Sequence, residues 1–514
     1  MTPTSGETPR LEIRGLRKYF AASGVLAVDD VSLEVGAGEV VALIGENGTG
    51  KTTLMNLLFG VHQPDAGEVF IDGARADISS QQDAISHGLG MVHQHFELVP
   101  SFTVAQNVLL GREPSRRGFY DDAAAERQVA ALIADSNLDL DPHRRVADLP
   151  VGAQQRVEIL KALAADARLL ILDEPTAVLT PAEADDLVAM VRRLAATGRS
   201  VVFISHKLPE VQAVADRIVV MRRGRVVGDV ARGGASDAEL ARLMVGRDVL
   251  LTAEPGDGTA GDTLLEVAGA MASPSADGST GLADVGLSVR AGEIVGIAGV
   301  SGNGQDELVE AVAGLRRLEA GRISVAGIEL TGSSPAAMRA AGVAHIAADR
   351  MHVGLNLQAT LEENAVSTSF RSRRFSRAGI IRRRARRQFA EQVIADYEVR
   401  GAAPARVVES LSGGNLQKIV VGRELSGNPR VVLANQPTRG LDVGSIEFVH
   451  RALSKARSEG SAVLLVSAEL DEVLALADRI AVMYDGKLLG PFDRSEMDRE
   501  RVGQLMAGGV EKNL

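Results

Sequence analysis

The chain contains no cysteine and no tryptophan, and aromatic residues make up 3% of its 514 positions. Without cysteine there are no disulfides, no Cys-based zinc sites and no iron–sulfur clusters, a composition compatible with the cytosol. Long apolar runs are missing too: none approaches the roughly 18–20 residues that span a bilayer. The first residues, Met1 to Arg10, are polar and contain proline, with no apolar core of the signal-peptide kind. Positive charge is in deficit, and a formal net charge of −11 argues against a large duplex-binding surface. The chain is therefore expected to be soluble or peripheral, so a role in membrane transport would need separate membrane-spanning partners. What is present is ordinary globular composition, 45% hydrophobic and 24% charged, at a length that suits two or more domains.

An internal repeat organises the rest. Val35-Gly36-Ala37-Gly38-Glu39-Val40-Val41 returns as Val289-Arg290-Ala291-Gly292-Glu293-Ile294-Val295, and Ala215-Asp216-Arg217-Ile218 returns as Ala477-Asp478-Arg479-Ile480. The offset grows from 254 (299 − 45) to 262 (478 − 216), so the second copy holds about eight extra residues. The arginine-rich stretch Arg371–Arg387 is their expected location. That stretch reads either as a solvated helix or as a contact for lipid headgroups or a membrane partner. Leu250 to Asp262, rich in Gly, Thr, Asp and Pro, reads as a linker. The expected domains are thus 11–249 and 263–509.

Strand-length apolar runs, Val40–Ile44, Leu169–Leu172 and Val201–Ile204, alternate with helical patterns at Leu54–Phe59 and Ala182–Leu194. Buried strands alternating with helices predict an α/β fold with a mainly parallel sheet. Between the first strand and helix lies Gly45-Glu46-Asn47-Gly48-Thr49-Gly50-Lys51-Thr52, a phosphate-binding loop in its expected context. Its glycines let backbone N–H groups curl around phosphate, Lys51 supplies a cation, and Thr52 offers a hydroxyl to Mg²⁺. Asp173, ending a buried strand, can support the Mg²⁺ shell, and Glu174 can polarise the attacking water. His206 can contact the γ-phosphate and that water, and Gln94 is a candidate ligand for Mg²⁺ and water. The second copy of the loop, Gly299-Val300-Ser301-Gly302-Asn303-Gly304-Gln305-Asp306, keeps the glycine spacing but has lost the lysine and the hydroxyl.

These landmarks, with Leu411-Ser412-Gly413-Gly414-Asn415-Leu416-Gln417, resemble two tandem ATP-binding-cassette ATPase domains. The resemblance covers nearly the whole chain. It implies a mixed, mainly parallel sheet core with a helical subdomain in each half, and ATP held between cassettes facing head to tail. It assigns Phe20 to adenine stacking, with Tyr19 the alternative and a plain core role open for both. Thr53 joins the nucleotide-contacting set. It further implies that Ser412, Gly413, Gly414 and Asp442 reach the ATP held by Lys51, making one complete site. The other site would carry Gln305, Asp306, Asn435, Gln436 and Ala468 in place of the active groups, with Pro150 and Thr180 from the first half, and is expected not to hydrolyse ATP.

The fused, asymmetric pair resembles the ATP-binding subunits of bacterial importers for ribose, galactose and nucleosides. The resemblance implies ATP and Mg²⁺, two permease subunits, an extracytoplasmic substrate-binding protein or lipoprotein, and a place on the cytoplasmic face of the membrane. No nucleic acid partner is expected. Val92-His93-Gln94-His95-Phe96 and Gly302-Asn303-Gly304-Gln305 look more like the nucleoside branch. Ala347-Ala348-Asp349-Arg350 departs from the family's usual Pro-Glu-Asp-Arg. The rivals are a ribose- or galactose-type importer subunit, a soluble double cassette acting on ribosomes or nucleic acid, and an exporter's cassette pair.

Overall fold

The computed structural model describes residues 8–506 and 508, apart from 22–23, 94–95, 117–118, 137, 177–178, 180, 248–259, 275–278 and 301. The chain divides into two units, Met1–Val249 and Leu250–Leu514. Each has the expected sheet. In the first unit six strands lie in the order Arg225–Ala231, Arg217–Arg222, Val40–Ile44, Ser200–Ile204, Leu169–Asp173, Leu89–Val92. All neighbours pair in parallel except the antiparallel edge strand Arg225–Ala231. The second unit repeats this order with Lys487–Asp493, Arg479–Tyr484, Ile294–Ala298, Ala462–Ser467, Val431–Asn435 and Val343–Ile346.

The central strands read as continuous apolar runs because both of their faces are covered: every residue of Val40–Ile44 and of Leu169–Asp173 is buried. One face meets the helix Lys51–Leu58 and an antiparallel sheet built on Leu11–Phe20 and Val25–Val35. Leu54 and Leu58 are fully buried there. Each such side chain contributes about 2–3 kcal/mol.

The repeated sequence blocks meet in space. Arg217 binds Glu39 at 2.8 Å while Asp216 accepts from the Val40 amide at 3.0 Å. Their counterparts do the same: Arg479 binds Glu293 at 2.5 Å, and Asp478 accepts from the Ile294 amide at 2.8 Å. The motif that marks the duplication is thus a polar clasp that fixes one strand against its parallel neighbour.

The extra residues of the second unit do not enter at one place. The offset is 254 at Leu89/Val343 (343 − 89) and 257 at the capping threonines Thr103/Thr360 (360 − 103). It reaches 261 at Ser115/Ser376 (376 − 115). It becomes 262 at Arg145/Val407 (407 − 145), which bridge to those same threonines. Part of the insertion therefore precedes the arginine-rich stretch, in the segment around the turn Arg350–Gly354. Nor is Arg371–Arg387 a single helix: a short hairpin, Ser376–Arg377 paired with Ile380–Ile381, comes before the helix Arg383–Asp396.

Candidate functional site

In the first unit the strand Val40–Ile44 runs into the glycine loop, and the helix Lys51–Leu58 starts at once. Gly50, its N-cap, has φ 99°, and a Cβ there would lie 2.1 Å from the Ala27 carbonyl oxygen. A Cβ on Gly45 would lie 2.3 Å from the Met221 carbonyl oxygen. Only glycine lets the loop press this closely against its neighbours. The first amides of a helix lack intrahelical acceptors, so the loop brings a chain of N–H groups and a positive dipole end to one place. Lys51 is 5% exposed, and its Nζ donates to the carbonyls of Gly45 (2.7 Å) and Glu46 (3.0 Å). The Thr49 hydroxyl donates to the Glu46 carbonyl at 2.8 Å. Asn47 and Gly48 form the exposed tip.

Strand order brings the acids to this loop. The strand Ser200–Ile204 lies between Val40–Ile44 and Leu169–Asp173, with Ile204 opposite Asp173. The loop, His206 and the two acids therefore emerge at the same carboxyl edge of adjacent parallel strands. Glu174 turns away from its strand at φ 47°, its N–H donating to the Ile204 carbonyl at 3.0 Å. Its Oε1 lies 3.2 Å from His206 Nδ1. Burial alone would raise the Glu174 carboxyl. The hydrogen bond and charge of His206, with Lys51 and Lys207, outweigh burial and hold it below its ordinary value. Asp173 goes the other way: burial first, then the charge of Glu174, pushes its carboxyl up, against Lys51 and a hydrogen bond with Thr52.

Thr52 and Asp173 thus offer a hydroxyl and a carboxylate within hydrogen-bond reach of each other, in a pocket where a cation would relieve the desolvated charge. Hard oxygen ligands of this kind fit Mg²⁺, which takes one or two protein oxygens and completes its shell with water and phosphate. Among the described residues no group of three His, Asp or Glu side chains could hold a metal unaided. An ion here would share its shell with the substrate. Thr52 is exposed and Thr53 half-buried. Phe20 ends the strand Leu11–Phe20, with His62 edge-on to its ring at 5.3 Å and Lys18 Nζ 5.7 Å from the ring centroid. Tyr19 is 49% exposed. Gln94 lies outside the described residues, as does Thr180.

The second unit fills the same loop from within. Gln305, 5% exposed, donates from Nε2 to the Val300 carbonyl at 2.9 Å, and its Oε1 accepts from the Asn303 amide at 3.1 Å. Where Thr52 and Asp173 stand in the first unit, Asn435 Nδ2 donates to Asp306 Oδ1 at 2.7 Å. Gln436 keeps the turn of Glu174, with φ 47° and its N–H on the Val466 carbonyl. Its Oε1 accepts from the Ala468 amide at 3.1 Å, where the first unit has His206. The same unit brings Ser412, Gly413, Gly414 and Asp442 together. Ser412 stands at the N-cap position of the helix Gly413–Leu425, its hydroxyl accepting from Asn415 Nδ2 at 2.9 Å, and Asp442 accepts from the Ser445 amide at the start of Val443–Ser458. A Cβ on Gly414 would lie 2.2 Å from Ser445 Oγ, so the two helix starts are in contact. In the first unit Pro150 holds the place of Ser412, at the start of the helix Val151–Ala164.

The sequence profile described as ABC transporter matches residues 28–177 and 282–439, more than half of the chain. The chain belongs to the ABC transporter family. It is 43% identical to the nucleoside import ATP-binding protein NupA of Lactococcus lactis over 484 residues, covering 94% of this chain and 96% of the relative. It is also 43% identical to the glucose import ATP-binding protein TsgD13 of the strain Haloferax volcanii DS2 over 531 residues, covering 98% and 96%. Among solved structures, RNase-L Inhibitor matches with a TM-score of 0.65 over 96% of this chain and 93% of that one, at 20% identity, a likeness of fold alone.

One residue near the Ser412 loop carries a part that its motif did not reveal. Arg350 donates to the Arg439 carbonyl at 2.8 Å, and a Cβ on Gly413 would lie 3.0 Å from its guanidinium. It ties the turn Arg350–Gly354 to both the Ser412 loop and the segment leading to Asp442. The sequence showed Asp349-Arg350 as an ABC landmark, but nothing in the linear order said what the arginine touches.

Proposed function

We propose that this chain is the ATP-hydrolysing subunit of a membrane importer of nucleosides or simple sugars, with nucleosides the preferred cargo. The observation that carries the reading is the partition of chemistry between two units of one fold. One gathers Lys51, Thr52, Asp173, Glu174 and His206 at a strand edge. The other fills the equivalent place with hydrogen bonds from the side-chain amides of Gln305, to the Val300 carbonyl, and Asn435, to the Asp306 carboxylate. Lys51 and the loop amides bind the phosphates. Glu174, held in its charged form, accepts a hydrogen bond from the attacking water and orients it, with His206 fixing the carboxylate. Mg²⁺, held by Thr52 and Asp173 with Gln94, neutralises phosphate charge when bound. Phe20 is assigned to the adenine.

Ser412, Gly413, Gly414 and Asp442 are assigned to the same ATP as Lys51. The support is the pattern of substitutions: each group needed for one complete set survives, whereas the other set has Gln305 for the lysine, Asp306 for the hydroxyl, Asn435 and Gln436 for the acids, Ala468 for the histidine and Pro150 for the serine, with Gly152, Gly299, Gly302 and Gly304 kept. The partners are two permease subunits and, through them, an extracytoplasmic binding protein or lipoprotein; the place is the cytoplasmic face of the membrane. No helix among the described residues is long and apolar enough to cross a bilayer. The nucleoside and glucose relatives match at equal identity, so the cargo preference rests on the segments around His93 and Gln305. Uptake of labelled nucleosides and of labelled ribose, galactose and glucose by a deletion strain tests it. Loss of nucleoside uptake alone is expected. Loss of sugar uptake alone moves the cargo to sugars, and no loss of either overturns the importer reading.

A further inference from the structure

The two units carry a short hairpin at equivalent places, with opposite electrostatics. In the first, Ser115–Arg116 pairs with Phe119–Tyr120. The 17 residues Leu110–Glu126 hold three arginines and four acids. In the second, Ser376–Arg377 pairs with Ile380–Ile381. The 17 residues Arg371–Arg387 hold nine arginines and no acid. Since the whole chain is at −11, the remainder is at −20 (−11 − 9).

Few of these arginines serve the fold. Arg386 is ion-paired with Glu362, and Arg387 meets Glu391 at 3.2 Å one helical turn on. Arg374 lies over the rings of Phe375 and Phe389 at 5.1 and 4.8 Å. Arg373, Arg377, Arg383 and Arg384 are exposed, and among the described residues no carboxylate is paired with them. Between them the chain turns tightly through Ala378 and Gly379, at φ 51° and 79°, the positive pair that a two-residue hairpin favours. That turn presents Ile380, 73% exposed, and Ile381, 41% exposed, with Phe370 at 41% nearby.

Dense like charge repels itself, and exposed large aliphatic side chains forgo about 1.5–3 kcal/mol each relative to burial. Both costs are offset at a surface that is anionic outside and apolar just beneath, the boundary of a bilayer rich in acidic phospholipid. We propose that the hairpin Ser376–Ile381 and its flanking arginines dock on the anionic phospholipid headgroups of the membrane, with the isoleucines entering the interface. The strongly acidic remainder of the chain is repelled by the same surface, so approach is oriented as well as attracted. This docking stands beside the importer reading, since its vesicle-binding test contains neither permease nor cargo.

The purified full chain is incubated with vesicles of phosphatidylcholine alone and with vesicles enriched in phosphatidylglycerol, and binding is read by sedimentation. Preferential binding to the phosphatidylglycerol vesicles, weakening as salt is raised, is expected. The variant Arg373→Gln/Arg377→Gln/Arg383→Gln/Arg384→Gln should bind them roughly a hundredfold or more weakly, at about fivefold per arginine. Ile380→Ser/Ile381→Ser should bind about tenfold more weakly, with ATPase rate unchanged in both variants. Hydrogen exchange of the intact chain should slow across residues 370–387 only when phosphatidylglycerol is present. Equal binding of the intact chain to both vesicle types overturns the proposal. So does undiminished binding by the fourfold variant. A patch that recognises an acidic permease segment instead would show as no vesicle binding with loss of permease co-purification in that variant, and this too overturns it.

Discussion

Replacing Lys51 and Gln305 by alanine, one at a time, separates the two loops by two readouts at once. Lys51 is buried and bonded to two carbonyls, and its ammonium is the cation that the assigned role gives to phosphate. A hydrogen bond involving a charged group contributes about 1.5–3 kcal/mol, so losing two of them weakens the bound, reacting state by about 3 kcal/mol or more. That corresponds to at least roughly a hundredfold loss of ATPase rate. Gln305 makes two neutral hydrogen bonds inside its own loop. These are worth about 0.5–1.5 kcal/mol each, so Gln305→Ala should cost the second unit about 2 kcal/mol. For a domain of this size that lowers its melting temperature by about 4–8 °C. Phosphate release and differential scanning calorimetry on the same preparations are the assays. Lys51→Ala should lose activity, and Gln305→Ala should shift the melting of the second unit while retaining activity. Equal losses of ATPase rate in the two variants would refute the partition.

Glu174→Gln keeps the shape but removes the charged acceptor, so ATP hydrolysis should fall by about 10²–10⁴ while ATP binding, read by fluorescence of a nucleotide analogue, persists. Gly414→Ala forces a Cβ to 2.2 Å from Ser445 Oγ. It should cut ATPase activity by an order of magnitude or more, and Ser445→Gly in the same chain should restore much of it; no rescue would mean that the glycine serves another purpose. Glu424 is buried between Arg339 (2.7 Å) and Arg423 (2.8 Å) and accepts from the His345 amide. Burial would raise its carboxyl, but Arg423 and Arg339 outweigh it and hold it below the ordinary 4.5. Glu424→Gln should therefore destabilise the second unit by about 3 kcal/mol near neutrality. A depressed folded value places this stabilisation above the unfolded pKa, so the gap between variant and parent should close as pH falls below about 4.5 in denaturant titrations.

The strands were legible because they are buried on both faces: Val40–Ile44 matches its apolar run, and Leu169–Leu172 continues into Asp173, the acid expected at its end. The candidate groups of the first unit, Lys51, Asp173, Glu174 and His206, were named from residue type and order, and parallel pairing brings them to one edge. Three things were not legible. The arginine-rich stretch read as a helix because the positive φ values at Ala378 and Gly379 have only a single glycine to announce them. The insertion was assigned to that stretch, whereas it begins upstream, near Arg350–Gly354, where no compositional shift marks it. The clamp of Arg350 on the Arg439 carbonyl joins residues 89 apart in sequence, a separation at which spacing carries no information. Gln94 falls outside the described residues, so its part stays a proposal.

The Gln305 amide, bonded on both sides within its own loop, gives that loop an uncharged internal brace where the first unit has a cation. The loop around Lys51 gathers cationic and N–H groups whose best partner is a ligand, so stability there is linked to nucleotide concentration as RT ln(1 + [L]/Kd), or about 2.7 kcal/mol at a hundredfold excess over Kd. On the proposed partition, duplication has given two domains of one architecture different thermodynamic dependences: the first is hardened by the cell's energy charge, and the Gln305 loop of the second keeps its own hydrogen bonds when that charge is spent.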